Sequence, residues 1–261
     1  MASHKAKPIH PQEGHIFKDA AALEAALGSQ EKEVLIAVAG SGILNEDLAL
    51  AFLKRRDLPQ AALEALAKNG RAMKSRKVKV GVVAHPKAPR HVTLPLMRHM
   101  YTFELMQITL TPAVATDLRM AIEDVLVSRV ATLTSGERIT LAKRGSGRVA
   151  GALLQDSDRR IVEAGLNNPY LTDVLVAKSL LHTRPSELLA TYVCRHQKWS
   201  VRREVQVAAL RNEFTPLAYA IRFSERMSRE ELSDLFRQSG LPEKIQIYLL
   251  EMAQKRDERR R

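Results

Sequence analysis

The sequence predicts an all-α fold, on the basis of its aliphatic composition, its helix-capping patterns and an internal repeat. Hydrophobic residues make up 45% of the 261 residues, whereas aromatic residues make up only 5%. Ala and Leu favour helices, and β-sandwiches usually carry more aromatic and β-branched side chains. The hydrophobic fraction is also large enough for a buried core, which excludes a disordered polyelectrolyte.

Capping residues mark several helix starts. Thr134-Ser135-Gly136-Glu137 and Ser228-Arg229-Glu230-Glu231 have the capping-box pattern, in which a hydroxyl and a Glu satisfy free backbone amides reciprocally. Asn45 and Thr172 are each followed by acidic residues, which suit the positive end of a helix dipole. These positions predict helices that begin directly after them.

Internal repetition indicates how the helices are organised. Shifting the numbering by 127 places Pro89 on Pro216 and Glu104 on Glu231. Turns between helices are predicted at four positions along the chain: Ser41, His85, Asn168 and Asn212. The first and last intervals between them are equal and the middle one is close to twice as long. The period is therefore about 42 residues, within the HEAT and armadillo range.

The predicted corners resemble those of a known class of repeat. Leu166-Asn167-Asn168-Pro169 and the segment from Leu210 to Pro216 are similar to the Asn-Pro-x-Thr-Pro corners of HEAT-like repeats and of the leucine-rich-repeat variant. The resemblance covers residues 31–252 and departs from the pattern at Gly40-Ser41-Gly42 and near residue 126. It implies an α-solenoid of HEAT-like helix pairs that presents a curved surface to a partner, and it implies no activity.

The domain boundaries follow from composition. Residues 1–15 are predicted to form a flexible basic lead, residues 16–254 a single helical-repeat domain, and residues 255–261 a charged tail. The N-terminus lacks the apolar core of a secretory signal, and no stretch approaches the ~18 apolar residues of a membrane span. Cys194 is the only cysteine, so an intramolecular disulfide is excluded. These features predict a cytoplasmic protein without a membrane span.

No catalytic, cofactor-binding or metal-ligating residue is assigned. Gly40-Ser41-Gly42 and Gly145-Ser146-Gly147 lack the third glycine and the flanking strands of a dinucleotide site, so they are interpreted as helix-ending corners. The eight histidines contain no zincin pattern. Cys194 and His196 diverge on a helix, which disfavours a Cys-His nucleophile.

Positive charge is the main functional indication. The formal net charge is +12 and the sequence pI is about 10.0, which favours an anionic partner. Besides a cluster at Lys74, Arg76, Lys77 and Lys79, two groups near the predicted corners are candidates for a surface that follows a phosphate backbone. These candidates are Lys143, Arg144, Arg148, Arg159, Arg160, Arg195, Lys198, Trp199, Arg202 and Arg203.

Each candidate also has a structural interpretation. The arginines and lysines are equally consistent with a solvated rim, and Trp199 either stacks on a base or, as favoured, packs beneath the corner. The sequence thus predicts a non-enzymatic scaffold for a protein or nucleic-acid partner. The alternative is a nucleic-acid-processing enzyme similar to the HEAT-like DNA glycosylases, a resemblance at the level of the fold alone.

Overall fold

The computed structural model describes residues 17–258, and every regular element in that range is helical. The prediction of an all-α fold is confirmed for these residues. The predicted lead, residues 1–15, and the last three residues of the predicted tail lie outside the described range. No described helix has both the length and the apolar character needed to cross a membrane.

The chain divides into two compact units at Ile122, inside the eighth helix. The described part of unit 1 contains seven helices, two of them linked by a short 3-10 helix, and the start of an eighth. They are α1 (Ala20–Ala26), α2 (Lys32–Gly40), α3 (Glu46–Leu53), α4 (Gln60–Lys68), α5 (Arg76–Ala84), α6 (Arg90–Met97), α7 (Thr102–Thr109) and α8 (Thr116–Arg129).

Unit 2 begins at Glu123 and contains the end of α8, a second 3-10 helix and the remaining helices. They are α9 (Ser135–Arg144), α10 (Gly147–Leu153), α11 (Arg159–Leu166), α12 (Asp173–Leu180), α13 (Glu187–Arg195), α14 (Arg203–Ala209), α15 (Leu217–Ser224), α16 (Arg229–Phe236) and α17 (Glu243–Glu258). Residues 255–258, predicted as part of the charged tail, are therefore helical.

The helices are short and follow one another at regular intervals. Helix α2 begins at Lys32 and α5 begins at Arg76, and this interval equals the one between the predicted corners Ser41 and His85. Because α2, α3 and α4 all lie within it, the spacing of corners found in the sequence corresponds to three helices. A pair of helices, such as α2 and α3, therefore takes fewer residues than the sequence spacing suggested.

The internal offset of 127 is reproduced helix by helix. Helices α2 to α8 begin at Lys32, Glu46, Gln60, Arg76, Arg90, Thr102 and Thr116. Helices α11 to α17 begin at the positions that the same offset gives, namely Arg159, Asp173, Glu187, Arg203, Leu217, Arg229 and Glu243. The equivalence extends to individual contacts, because Arg76 pairs with Glu104 and the equivalent Arg203 pairs with Glu231.

Within each unit, helices pack on their second neighbours along the chain. In unit 1, α2 contacts α4, α3 contacts α5, and α5 contacts α7. In unit 2, α9 contacts α11, α11 contacts α13, α10 contacts α12, and α12 contacts α14. Aliphatic side chains fill the spaces between them, and Leu210, directly after α14, is fully buried.

The predicted capping signals are present. Thr134 and Ser228 form capping boxes with Glu137 and Glu231. The side chains of Asn45 and Thr172 accept amides of α3 and α12, as predicted. Each cap satisfies a backbone donor that would otherwise lack a partner at the start of a helix of about two turns.

Candidate nucleic-acid interface

Three connections of unit 2 lie side by side and are joined by side-chain hydrogen bonds. The buried amide of Asn168, after α11, donates to the carbonyl oxygens of Ala142 at 2.8 Å and Gly145 at 2.9 Å, at the end of α9. The indole of Trp199, after α13, donates to the carbonyl oxygen of Leu166 at the end of α11. We call this row, formed by the α9–α10, α11–α12 and α13–α14 connections with the adjoining helix ends, the first edge of unit 2.

The opposite helix ends form a second edge. Asn212, after α14, donates to the carbonyl oxygen of Leu180 at the end of α12 at 2.7 Å. Ser239, after α16, donates to the carbonyl oxygen of Leu210 at 2.8 Å. Because helices of seven to ten residues are about 10–15 Å long, the two edges are separated by roughly that distance along the helix axes.

Five of the predicted cations lie exposed on the first edge. Lys143 and Arg144 occupy the last turn of α9, Arg195 the last turn of α13, and Lys198 and Arg202 the connection that follows it. Within residues 17–258, none of these five forms an ion pair. Cations at a helix C-terminus also stabilise the helix, because they interact with the negative end of its dipole. Lys143, Arg144 and Arg195 have this structural role whether or not they bind a ligand.

Two further predicted cations lie near this edge but are paired with carboxylates. Arg148 contacts Asp124 at 2.5 Å and Glu123 at 3.8 Å. Arg203 contacts Glu231 at 2.9 Å, and the pKa of Glu231 is lowered first by the backbone amide of Ser228 and then by Arg203. Their charges are therefore already balanced locally.

Arg159 and Arg160 do not belong to this row. They lie at the start of α11, on the second edge, so the structure does not bring them together with Lys143 or Arg195. Arg160 also pairs with Asp158 at 2.8 Å. Asp158 also caps α11 by accepting the amide of Arg160.

Trp199 belongs to the core. Its side chain is 1% exposed, its Nε1 is bonded to Leu166, and the Lys198 ammonium lies 4.0 Å from the centre of its ring. No face of the ring is free for a base. Of the two alternatives left by the sequence, packing beneath the corner is the one observed.

The sequence interpretation did not include Tyr170, which lies in the middle of the first edge. Tyr170 is 55% exposed, and its amide donates to the Oδ1 of Asn168 at 2.7 Å. Its carbonyl oxygen lies so close to Gly147 that a Cβ there would overlap it. One signal was available in the sequence: Tyr170 is an aromatic residue directly after Pro169 in a predicted corner.

The basic cluster of unit 1 is more fully paired. Arg76 contacts Glu104 at 2.7 Å and lies 3.5 Å from the ring centre of Tyr101, and Lys77 contacts Glu46 at 3.2 Å. The paired charges make this cluster a weaker candidate than the first edge of unit 2.

The described residues offer little support for metal or thiol chemistry. No group of three or more His, Cys, Asp or Glu side chains between residues 17 and 258 is arranged to hold a metal ion. Burial raises the pKa of Cys194 to about 12, so this thiol is not a nucleophile at neutral pH.

Comparisons with family models, curated proteins and solved structures find no match.

Proposed function

We propose that this chain is a non-enzymatic α-solenoid scaffold and that the first edge of unit 2 binds nucleic acid. The solenoid part of the proposal is supported by short helices that pack on their second neighbours and by the repeat that relates α2–α8 to α11–α17. It follows that equivalent connections of successive helix pairs line one edge.

The observation that carries the binding proposal is the row of five exposed cations without ion pairs within residues 17–258: Lys143, Arg144, Arg195, Lys198 and Arg202. They are distributed over two connections with a third between them, and neighbouring packed helices are about 8–10 Å apart. The row of cations therefore spans about two such helix-to-helix distances. A row that long suits a ligand with regularly repeated negative charges. Guanidinium groups bind phosphate oxygens in a bidentate manner, and three of the five are arginines.

The experiment compares two variants that remove the same amount of charge from opposite edges. The edge variant carries Lys143→Gln, Arg144→Gln, Arg195→Gln and Arg202→Gln. The control variant changes four exposed second-edge residues that form no ion pair within residues 17–258: Arg159→Gln, Lys178→Gln, Arg184→Gln and Lys244→Gln.

We expect wild-type protein to bind a labelled oligonucleotide, measured by fluorescence anisotropy, with little dependence on its sequence. The edge variant should bind about 10- to 100-fold more weakly, because four phosphate contacts and their released counterions are lost. The control variant should bind like wild type, and far-ultraviolet circular dichroism should show unchanged helicity for both.

Three results would count against the proposal. Equal weakening by both variants would mean that net charge alone attracts the ligand. No binding at about 50 mM salt would remove nucleic acid as the partner. Edge-dependent binding of an acidic polypeptide, but not of nucleic acid, would identify a protein partner for the same surface.

A further inference from the structure

We infer that the first edge of unit 2 binds single-stranded nucleic acid and that Tyr170 provides the surface on which an unpaired base stacks. The inference rests on the proposed function and adds the class of nucleic acid and the residue that selects it.

Tyr170 lies between the two groups of unpaired cations. The α11–α12 connection that carries it is bonded through Asn168 to the helix end that bears Lys143 and Arg144. On its other side, Trp199 bonds the next connection, which bears Lys198 and Arg202, to the end of α11. A strand that follows the cations from one group to the other therefore crosses the α11–α12 connection, which carries Tyr170.

Tyr170 is an exposed aromatic residue on this edge. It is 55% exposed, and no hydrogen bond joins its hydroxyl group to another described residue. The offset that relates the two units places Tyr170 on Ile43, which is half-buried against the core of unit 1. Unit 2 thus has an aromatic side chain at a position where an aliphatic one suffices for the same corner.

The backbone of Tyr170 is held firmly in place. Its amide donates to the Oδ1 of Asn168, and Asn168 is itself bonded to two carbonyl oxygens at the end of α9. Gly147 allows the α10 backbone to approach the Tyr170 carbonyl closely. A ring on a fixed backbone loses little conformational entropy when a base stacks on it.

The surroundings of Tyr170 favour a single strand over a duplex. Val174, at the start of α12, is 58% exposed, and Val201, in the α13–α14 connection, is 60% exposed. The edge therefore combines apolar surface with cations. A duplex presents mainly phosphates to such a surface because its bases are already stacked, whereas a single strand presents phosphates and base faces together.

The test measures three probes of equal length with each protein: an unpaired oligonucleotide, an abasic oligonucleotide with the same sugar–phosphate backbone, and a blunt duplex. The variants are Tyr170→Ala, Tyr170→Phe and, as a matched control, Tyr248→Ala. Tyr248 is 45% exposed on α17 and lies outside the first edge.

Wild-type protein should bind the unpaired oligonucleotide more tightly than the abasic one by roughly 5- to 150-fold, the range for one stacked base. Tyr170→Ala should lose most of that preference and should change the affinity for the abasic and duplex probes by no more than about twofold. Tyr170→Phe should retain the preference, because stacking requires the ring and not the hydroxyl group. Tyr248→Ala should behave like wild type.

Equal affinity of wild-type protein for the unpaired and abasic probes would overturn the stacking role. So would a Tyr170→Ala substitution that weakens the binding of all three probes by the same factor relative to wild type. If the edge variant still binds those probes more weakly than wild type, the proposed nucleic-acid scaffold stands without stacking. No binding of any probe would overturn both proposals.

Discussion

The indole N–H of Trp199 donates to the carbonyl oxygen of Leu166 at 2.8 Å, although the two residues are far apart in the sequence. That carbonyl belongs to the last residue of α11, where the helix offers no amide to bond it. In unit 1 the equivalent carbonyl, that of Ala39, accepts from the Nδ2 of Asn69 at 2.9 Å. The position equivalent to Asn69 is His196, so the two units satisfy the same carbonyl with different side chains.

Replacing Trp199 with Phe removes this donor and keeps an aromatic ring. We expect Trp199→Phe to lower the free energy of unfolding by about 1–3 kcal/mol, the cost of leaving a buried carbonyl without a partner. Urea denaturation followed by circular dichroism measures the change.

The corresponding corner of unit 1 suggests a second substitution that should restore some of the lost stability. Adding His196→Asn to Trp199→Phe places an amide where Asn69 stands in unit 1, and part of the lost stability should return. A double variant no more stable than Trp199→Phe would show that the two corners are not equivalent in their hydrogen bonding.

Two glycines of α10 should respond to alanine in opposite directions. A Cβ on Gly147 would overlap the carbonyl oxygen of Tyr170, and this contact is with backbone that cannot move aside. We expect Gly147→Ala to destabilise the protein by about 1–3 kcal/mol, as overpacking generally does. Thermal or urea unfolding measures this cost.

Gly151 is the matched control on the same helix. A Cβ there meets Leu175 no closer than 3.6 Å, an ordinary contact. Since alanine is favoured over glycine inside a helix by about 0.5–1 kcal/mol, Gly151→Ala should stabilise the protein. If both substitutions have the same sign, the close approach of α10 to Tyr170 is not as described.

His85 should make stability depend on pH. Its Nε2 lies 2.7 Å from the carbonyl oxygen of Arg55, its Nδ1 accepts the amide of Lys87 at 3.2 Å, and burial lowers its pKa from 6.5, helped by the charge of Lys87. The unfolded chain therefore binds a proton more readily than the folded one. The contribution to stability is fully present above about pH 6.5 and is lost as the pH falls through the folded-state pKa.

His85→Asn tests this dependence, because Asn212 is the equivalent residue in unit 2 and bonds its own corner in the uncharged amide form. The free energy of unfolding of the variant, measured by urea denaturation at several pH values, should decrease less than that of wild type below about pH 6.5. Some dependence should remain from His196, whose pKa is also lowered by burial and by Lys198. Identical pH profiles would exclude His85 as the source.

Local chemistry allowed the sequence to predict the corners and caps. Asn168 and Asn212 lie where an Asn followed by Pro or Thr-Pro was expected to end a helix, and Thr134 and Ser228 cap helices as expected. The length of the helices was harder to predict. The corners that matched in sequence are three helices apart, and their spacing suggested a single pair of longer helices. Val201 has the helical spacing from Val205 that would place both on one buried face, but α14 begins only at Arg203 and Val201 is 60% exposed.

The candidate site was predicted in part. Arg159 was grouped with Arg144 because the two are close in the sequence. However, Arg144 ends α9 and Arg159 begins α11, and the intervening helix α10 carries the chain from the first edge to the second. The ion pair between Arg203 and Glu231 was also not predictable, because Glu231 lies two helices beyond Arg203 in the sequence. Neither fact follows from composition or from the spacing of charges.

The salt dependence of binding tests the central claim most directly. The slope of log affinity against log salt concentration reports how many phosphates the protein contacts, at about 0.7 per contact for a single strand. The edge variant should show a slope shallower than wild type by up to about 3, because four contacts are removed, whereas the control variant should keep the wild-type slope. Parallel lines for wild type and the edge variant would contradict the account, since the first edge would then contact no phosphate.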